Sequence, residues 1–288
     1  MIKRSDKIRY SNITEGNYVE IADDVEIICP KLSLGNNVYI GKGSKIKCLE
    51  LEIGDDTFLE EGILIEGNPN NLETKVKIGK GGLICKDTRI NCNYPVTIGE
   101  NVGIGQNVRI WTHGYFMDRL KGYPYNKGEV KIGNNVWIIE GTSIMPKIDI
   151  GNNVIIGTNS VVNKNIPSGV FASGNPVEII KQNIYPPIIN YEQQKYIINE
   201  VVSEYIPIMN AKGFEKVIEV NKLRIFFDKT GESPVIFDCK NRCIYGELDK
   251  YGEDFRDHLR RNSLKFFNGK PFKSLPLLAF KNLYKQTI

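Results

Sequence analysis

Aliphatic residues recur at every sixth position over the first two thirds of the chain. Six triplets show this spacing: Leu34, Ile40 and Ile46; Ile53, Leu59 and Ile65; Ile78, Ile84 and Ile90; Ile98, Ile104 and Ile110; Ile132, Ile138 and Ile144; Ile150, Ile156 and Val162. A period of six fits neither the 3.6-residue repeat of an α-helix nor the alternation of a hairpin. Three short strands joined by tight turns, closing one triangular coil, do produce it. The pattern therefore predicts a solenoid of stacked coils with an aliphatic interior.

The polar positions between these aliphatic residues carry turn-forming residues. Glycine often follows the aliphatic position directly, which lets the backbone bend at a corner. Asparagine stands at turn positions 37, 101, 135 and 153 and tolerates the left-handed conformation. We expect these asparagines to form the corners of the coils.

The repeat is interrupted between triplets and never within one. Successive triplets are separated by 7, 13, 8, 22 and 6 residues, whereas each internal step is six residues. All the insertions therefore leave the solenoid at the same corner. The longest follows Ile110, and His113 stands at its start. Because repeat proteins concentrate insertions on the face that binds, the loop 113–130 is the predicted site.

Composition excludes several classes of protein. A net charge of +4 over 288 residues is too small for a general nucleic-acid binder, so no nucleic acid is expected as a partner. The basic N-terminus is not followed by an apolar run, which predicts a cytoplasmic protein. Six cysteines without paired CxxC spacing predict reduced thiols and no metal site. A zinc-dependent carbonic anhydrase would need three histidines, and the chain has two.

The last coils carry an ordered set of motifs. Residues 131–180 contain IGNNVWI, IGTNSVV, a lysine with a following proline, and a Gly-Asn-Pro turn. In this order they resemble the left-handed parallel β-helix acyltransferases with hexapeptide repeats, particularly the branch of galactoside, maltose and nodulation-factor acetyltransferases. The resemblance covers residues 18–181. It implies an all-β left-handed parallel β-helix, acetyl-CoA as the donor, and a homotrimer with the donor between two prisms.

His113 matches the position at which the resembling enzymes carry their catalytic histidine. Acetyl transfer from a thioester to an alcohol needs a base that works near neutral pH, and an imidazole titrates near pH 6.5. We therefore expect His113 to be the general base. A loop histidine bonded to a backbone carbonyl is the alternative. His258 lies in an amphipathic stretch and is expected to be a surface or packing residue.

Further residues are assigned to the acceptor side and to charge stabilisation. Asn91 and Asn93 occupy the same corner one coil before His113, where they either bind the acceptor hydroxyl or bond their own backbone as turn residues. Tyr115, in the same loop, is also expected to contact the acceptor. A backbone N–H of the Glu140–Gly141 turn is the predicted donor to the negative charge that develops on the thioester oxygen.

The predicted donor-binding residues are Trp137, Gly141, Ser160, Lys164 and Lys181. The resemblance points to all of them except Gly141, which belongs to the turn chosen as the amide donor. Trp137 either packs on the pantetheine arm or forms a subunit contact. The two lysines either meet cofactor phosphates or are solvated. Ile139 stands where the family usually has glycine, and its bulk narrows the expected cofactor groove.

The remaining chain is expected to form a second domain. We predict a lead-in over 1–17, the β-helix over 18–181, a proline-containing linker over 182–190 and a small α+β domain over 191–288. In this last domain we predict a helix around Ile197–Tyr205 that Pro207 ends or kinks, a four-stranded antiparallel meander, and a second helix.

Residues 255–288 hold eight basic residues and one acidic residue, with aromatic residues interleaved. A solvated basic face with its aromatic residues in the core is the favoured interpretation. Contact with an anionic glycan or with lipid headgroups, at the inner face of the membrane, is the alternative.

These observations together predict an acetyl-CoA-dependent O-acetyltransferase that modifies a sugar hydroxyl of a cell-surface polysaccharide or its precursor. Two other functions stay open: N-acetylation of an amino-sugar nucleotide, and a non-catalytic β-helix that serves as an assembly module.

Overall fold

The computed structural model describes residues 7–229, 231 and 234–278, and the chain forms two compact units. The first unit spans Met1–Pro187 and the second spans Ile188–Ile288. The boundary falls inside the segment 182–190 in which the sequence predicts a linker.

The first unit is a triangular prism with a β-sheet on each side, and the chain runs through the three sheets in turn. Sheet 1 contains Ile8–Arg9, Glu26–Ile28, Lys45–Lys47, Leu64–Glu66, Arg89–Asn91, Arg109–Ile110, Ser143–Ile144 and Val161–Val162. Sheet 2 contains Asn12–Glu15, Lys31–Leu34, Glu50–Ile53, Lys75–Ile78, Val96–Ile98, Val130–Ile132 and Asp149–Ile150. Sheet 3 contains Glu20–Ile21, Tyr39–Ile40, Phe58–Leu59, Leu83–Ile84, Gly103–Ile104, Val136–Ile138, Val154–Ile156, Phe171–Ser173 and Glu178–Lys181. The predicted left-handed parallel β-helix is confirmed.

The aliphatic residues of all six triplets are buried, each with at most 2% of its surface exposed. Their regular spacing makes each one stack on its equivalent in the next coil, so the interior is a continuous aliphatic column. The four turn asparagines have φ between 54° and 57°, in the left-handed region where asparagine is tolerated. The predicted core and corners are therefore both present.

The two ends of the prism differ from the expectation. Ile8–Arg9 and Asn12–Glu15 already pair in parallel with strands of the next coil, so the coils begin at Ile8 and not at residue 18. An end coil has a neighbouring coil on one side only, so Ile8 and Ile13 are only partly buried. The six-residue period of aliphatic positions is therefore less strict in this coil. At the other end, Glu178–Lys181 pairs antiparallel with Phe171–Ser173 and closes sheet 3.

The outer face of sheet 2 carries ion pairs between adjacent coils. Lys31 Nζ and Lys75 Nζ lie 2.6 and 3.5 Å from the Glu50 carboxylate, and Lys77 Nζ lies 2.9 Å from Glu52. Exposed pairs of this kind contribute about 0.2–1 kcal/mol each. Their alternation of charge is typical of a solvated face.

The outer face of sheet 3 is apolar along one column of residues. We call this column the apolar stripe; in register order it contains Tyr39, Phe58, Leu83, Trp137, Ile155 and Phe171, with Gly103 between Leu83 and Trp137. Trp137 is 53% exposed and Leu83 is 37% exposed. A contiguous apolar strip on one side of a prism is the kind of surface that forms protein contacts.

The second unit is a small α+β fold, as predicted. Helix α1 spans Tyr191–Ala211 and helix α2 spans Lys250–Arg261. An antiparallel meander joins them, with strands Ile218–Asn221, Arg224–Phe227, Val235–Asp238 and Cys243–Tyr245. Pro207 does not end α1, which continues for four more residues.

The basic C-terminal segment is partly structural. Arg256 is fully buried, and its guanidinium donates to the backbone oxygens of Phe266, Lys270 and Pro271. His258 is also buried, with Nε2 2.9 Å from the carbonyl oxygen of Val201, so it is a packing residue. Of the basic and aromatic residues in segment 255–288, four lie outside the described residues, which are Phe280, Lys281, Tyr284 and Lys285.

The six cysteines are all unpaired thiols. Cys29 and Cys48 are buried on adjacent coils, with their sulfur atoms 3.9 Å apart. The hydrogen bond to Cys48, together with burial, raises the pKa of Cys29 far above its usual range. In the described part of the chain, no group of three or more metal-ligating side chains comes together and no helix is long and apolar enough to cross a membrane.

Candidate active site

All the insertions leave the prism at the corner where sheet 1 passes into sheet 2. The longest runs from the end of strand Arg109–Ile110 to the start of Val130–Ile132. Within it, His113–Gly114 pairs antiparallel with Asn126–Lys127, and a single 3-10 turn covers Arg119–Lys121. This hairpin fixes the backbone on both sides of the loop and holds His113 against the corner.

The imidazole of His113 is bonded to the preceding coil. Its Nδ1 lies 2.9 Å from Oδ1 of Asn91 and 3.2 Å from Nδ2 of Asn93. Asn91 Oδ1 also accepts a hydrogen bond from the hydroxyl of Thr112 at 2.8 Å, which fixes the orientation of the carboxamide. Asn91 Oδ1 can only accept a hydrogen bond, whereas Asn93 Nδ2 can only donate one, so the two contacts correspond to opposite tautomers of the ring. The shorter contact, to Asn91, belongs to the tautomer in which Nδ1 carries the proton and Nε2 keeps its lone pair.

Partial burial lowers the pKa of His113 below its ordinary value near 6.5. Removing an imidazole from water disfavours the charged form, which explains the direction of the shift. The ring is therefore neutral at pH 7. A neutral imidazole with a free Nε2 has the protonation state that a general base requires.

Asn93 is engaged inside the corner. Its Oδ1 accepts from the backbone N–H of Asn68 at 2.6 Å, and its carbonyl oxygen accepts from the side chain of Asn71. Both partners belong to the insertion between strands Leu64–Glu66 and Lys75–Ile78. Asn93 thus ties this insertion to the loop of His113, and Asn91 orients the histidine. Neither asparagine merely bonds its own backbone.

Aromatic rings form a wall beside the histidine. The ring centroid of Tyr115 lies 5.2 Å from that of His113 and 4.3 Å from that of Tyr125, on which it stacks. Lys127 Nζ lies 5.1 Å from the ring centroid of Tyr94 and 5.4 Å from that of Tyr125. The predicted contact residue Tyr115 is therefore next to the imidazole, on the exposed side of the corner.

The predicted donor-binding residues are spread over the prism. Trp137 is on the outer face of sheet 3, and the Glu140–Gly141 turn is at the corner between sheets 3 and 1. Lys181 is exposed at the end of the last strand of sheet 3, whereas Lys164 is exposed at the corner between sheets 1 and 2, two coils beyond His113. A single chain therefore does not bring Trp137 or the Glu140–Gly141 turn to His113, which lies, like Lys164, at the corner between sheets 1 and 2.

Polar groups of two of these residues form hydrogen bonds within the β-helix. The backbone N–H of Gly141 donates to the carbonyl of Gln106 at 2.9 Å, so it is not the amide for a developing oxyanion. Ser160 is fully buried, donating to the carbonyl of Gly157 and accepting from the amide of Gly174. In the Glu140–Gly141 turn, the backbone amide of Glu140 donates no hydrogen bond to another described residue.

Sequence reasoning missed the residues that hold the histidine in place. Thr112 is buried, accepts from the backbone N–H of Tyr94 and donates to Asn91. Its signal was available, since it stands directly before the candidate base at the insertion. Tyr125 and Lys127 gave no signal, because the loop that contains them has no period.

Comparison with known protein families identifies the same six-residue repeat. Residues 129–164 match a family described as bacterial transferase hexapeptide (six repeats). The chain therefore carries the hexapeptide repeat of bacterial transferases, and the resemblance seen in the sequence is confirmed.

Two relatives illustrate the similarity. The chain is 47% identical over 90 residues to a putative acetyltransferase of Saccharomyces cerevisiae, which covers 30% of this chain and 45% of the relative. It is 37% identical over 112 residues to the galactoside O-acetyltransferase of Escherichia coli, which covers 38% of this chain and 55% of that enzyme. The chain thus spans about half the length of the curated relatives it matches.

Among solved structures, the chain is similar to a hexapeptide-repeat acetyltransferase of Vibrio cholerae determined with acetyl coenzyme A. The identity is 22%, the TM-score is 0.33, and the match covers 52% of this chain and 69% of that one.

Proposed function

We propose that the protein is an acetyl-CoA-dependent O-acetyltransferase that acts on a sugar hydroxyl of a cell-surface polysaccharide or its precursor. The observation that carries the proposal is the 2.9 Å contact between Asn91 Oδ1 and His113 Nδ1 at the insertion corner of a hexapeptide-repeat prism. With the proton on Nδ1 donated to Asn91, the lone pair of Nε2 is available to accept a substrate proton.

His113 performs the proton transfers in this proposal. Acetyl-CoA supplies the acetyl group as a thioester. His113 Nε2 removes the proton from the acceptor hydroxyl while that oxygen forms a bond to the acetyl carbon and the carbon–sulfur bond breaks. The imidazolium then returns the proton to the departing thiolate. Asn91 acts through His113 and is a positioning residue, because its oxygen holds the required tautomer.

Several groups on the prism suit the acetyl-CoA donor by their chemistry. The amide of Glu140 points to no other described residue, so it is available to a developing negative charge. Lys164 and Lys181, both exposed, supply positive charge for cofactor phosphates. Trp137 offers an exposed aromatic surface for the pantetheine arm.

A second copy of the chain is required to complete such a site. His113 and Glu140 lie at different corners of one prism, so a neighbouring prism must present its turn to the histidine. The apolar stripe on sheet 3 supplies a surface for that contact. We propose a homotrimer, since closed cyclic symmetry repeats the same interface and the same site three times.

Acetylation of a defined sugar panel tests the proposal. The purified protein is incubated with acetyl-CoA and neutral, acidic or amino saccharides, and products are measured by mass spectrometry. We expect a gain of one acetyl group that hydroxylamine removes, because esters are cleaved and amides are not. Amide products alone would favour the N-acetyltransferase, and no product with any acceptor would contradict acetyl transfer.

A further inference from the structure

Two arginines are stacked on the outer face of sheet 1. Arg89 and Arg109 are direct register partners on adjacent coils, and both are exposed. Lys45 lies in the same column two strands earlier, with Leu64 between it and Arg89. We call Lys45, Arg89 and Arg109 the basic ladder.

Like charges directly opposite each other on adjacent strands are destabilising. Within the described residues, neither Arg89 nor Arg109 has a carboxylate within 4.0 Å, although Lys45 lies 3.9 Å from Glu26. The contrast with sheet 2 is clear, because Lys31, Lys75 and Lys77 there each face a glutamate. Arg89 and Arg109 are thus arranged for an anion that the prism does not itself provide.

A groove of about 310 Å³ runs beside the ladder. Lys45, Arg89 and Arg109 line it together with Leu64, Asn107 and one acidic residue, Asp87. Three cations against one carboxylate give the groove a positive balance. Guanidinium groups bind carboxylates and phosphates with paired hydrogen bonds, so two neighbouring arginines suit an oxyanion.

The ladder is continuous with the candidate active site. Arg89 and Asn91 belong to one strand and point to the same outer face, about 7 Å apart along the chain. Asn91 in turn contacts His113. Likewise, Arg109 is four residues before His113 in the chain. An anion on the arginines therefore lies within the span of a short saccharide from the catalytic nitrogen.

We propose that the basic ladder binds a carboxylate or phosphate of the acceptor, so that the enzyme acetylates an acidic glycan in preference to a neutral one. This inference rests on the proposed O-acetyltransferase activity and adds the substrate class. The anion fixes the saccharide on Arg89 and Arg109 while a hydroxyl reaches Nε2 of His113.

The test compares three probes, which are trigalacturonate, a maltotriose phosphate and neutral maltotriose. Binding is measured by calorimetry without acetyl-CoA, and KM and kcat are measured with it. The double variant Arg89→Gln/Arg109→Gln is set against Lys75→Gln/Lys77→Gln, which removes the same charge from sheet 2. The variant His113→Ala is included in the binding assay only.

We expect the ladder variant to lose roughly 10- to 100-fold in affinity and in kcat/KM for the acidic probes, since two charge-assisted contacts are removed. The affinity and kcat/KM of the ladder variant for neutral maltotriose should change less than about twofold. The same holds for the sheet 2 variant with every probe, since exposed charges contribute little. The acidic probe whose affinity falls more in the ladder variant shows whether the ladder binds a carboxylate or a phosphate. His113→Ala should bind the acidic probes as the wild type does.

Equal losses in the two double variants, or equal losses for acidic and neutral probes, would overturn the inference. Dissociation of the oligomer by Arg89→Gln/Arg109→Gln would also overturn it, because the arginines would then serve a subunit contact. If the probes bind through the ladder but no acetyl group is transferred to any of them, the acetyltransferase proposal fails while the anion site stands.

Discussion

Oδ1 of Asn91 lies 2.9 Å from Nδ1 of His113, although the two residues are 22 positions apart in the chain. The distance follows from the stacking of coils, which places the end of strand Arg89–Asn91 beside the loop that follows Arg109–Ile110. This contact belongs to the tautomer in which Nδ1 carries the proton and Nε2 can act as a base. It also makes the role of Asn91 testable apart from that of the base.

Replacing Asn91 should change the pH profile as well as the rate. Asn91→Ala removes the acceptor that holds the Nδ1 proton, and we expect kcat to fall roughly 10- to 100-fold because part of the imidazole adopts the wrong tautomer. Asn91→Asp places a negative charge on the ring and should raise the pKa of His113, moving the acid limb of kcat/KM to higher pH. An unshifted acid limb in active Asn91→Asp would remove Asn91 from this role.

His113→Gln should abolish most of the turnover without unfolding the protein. A lost general base typically costs 10²- to 10⁴-fold in rate. The side chain lies at a surface corner and outside the aliphatic core, so the unfolding temperature should stay within a few degrees of that of the wild type. Turnover is measured with saturating acetyl-CoA, and wild-type turnover in this variant would exclude His113 as the base.

The wild-type pH profile provides a second check on the histidine. Because burial lowers the pKa of His113, the neutral form persists to lower pH than it does for a solvated imidazole. Activity should therefore be constant around pH 7 and should fall only below about pH 6.5. Measurement of kcat/KM from pH 5 to pH 8 tests this expectation. An acid limb above pH 7 would contradict the assignment of His113 as the general base.

The apolar stripe should be the surface that assembles the oligomer. Leu83→Lys places a charge in the middle of the stripe, and its desolvation in a contact should dissociate the protein to monomers and remove activity. Ser33→Lys adds the same charge beside Glu52 on sheet 2 and should leave the assembly intact. Light scattering measures the mass of each variant. A wild type that is an active monomer, or a Leu83→Lys variant that remains trimeric, would contradict this role.

Arg256 should stabilise the second unit and contribute little to anion binding. Arg256→Met leaves three carbonyl oxygens without their donor, and we expect a loss of about 3 kcal/mol in the free energy of unfolding of that unit. Lys270→Gln, at an exposed position, should change it by less than about 0.5 kcal/mol. Hydrogen–deuterium exchange of peptides from the second unit, measured over a urea series, distinguishes the two variants, and equal stability would refute a structural role.

The sequence by itself determined the prism. A period of six with glycine or asparagine at the turns can be satisfied by few backbones, because every sixth side chain must reach a shared interior while the chain bends three times per coil. Spacing between triplets also located the insertion corner and His113, since an inserted residue inside a triplet would expose an aliphatic side chain. The first coil was not predicted from the sequence, because Ile8 and Ile13 pack against a neighbouring coil on one side only and the aliphatic period is weaker there.

Tertiary structure decided how the chemistry is arranged around that corner. The register between coils brings Asn91 to His113 and turns Asn93 towards Asn68, which no local pattern specifies. Gly141 and Ser160 were predicted to bind the donor, yet the amide of Gly141 and the hydroxyl of Ser160 are hydrogen-bonded within the β-helix. The stacked pair Arg89 and Arg109 is 20 residues apart in sequence and becomes a pair only because one coil lies on the next. Periodicity dictates which side chains enter the core, whereas the stacking of coils dictates which polar side chains meet outside it.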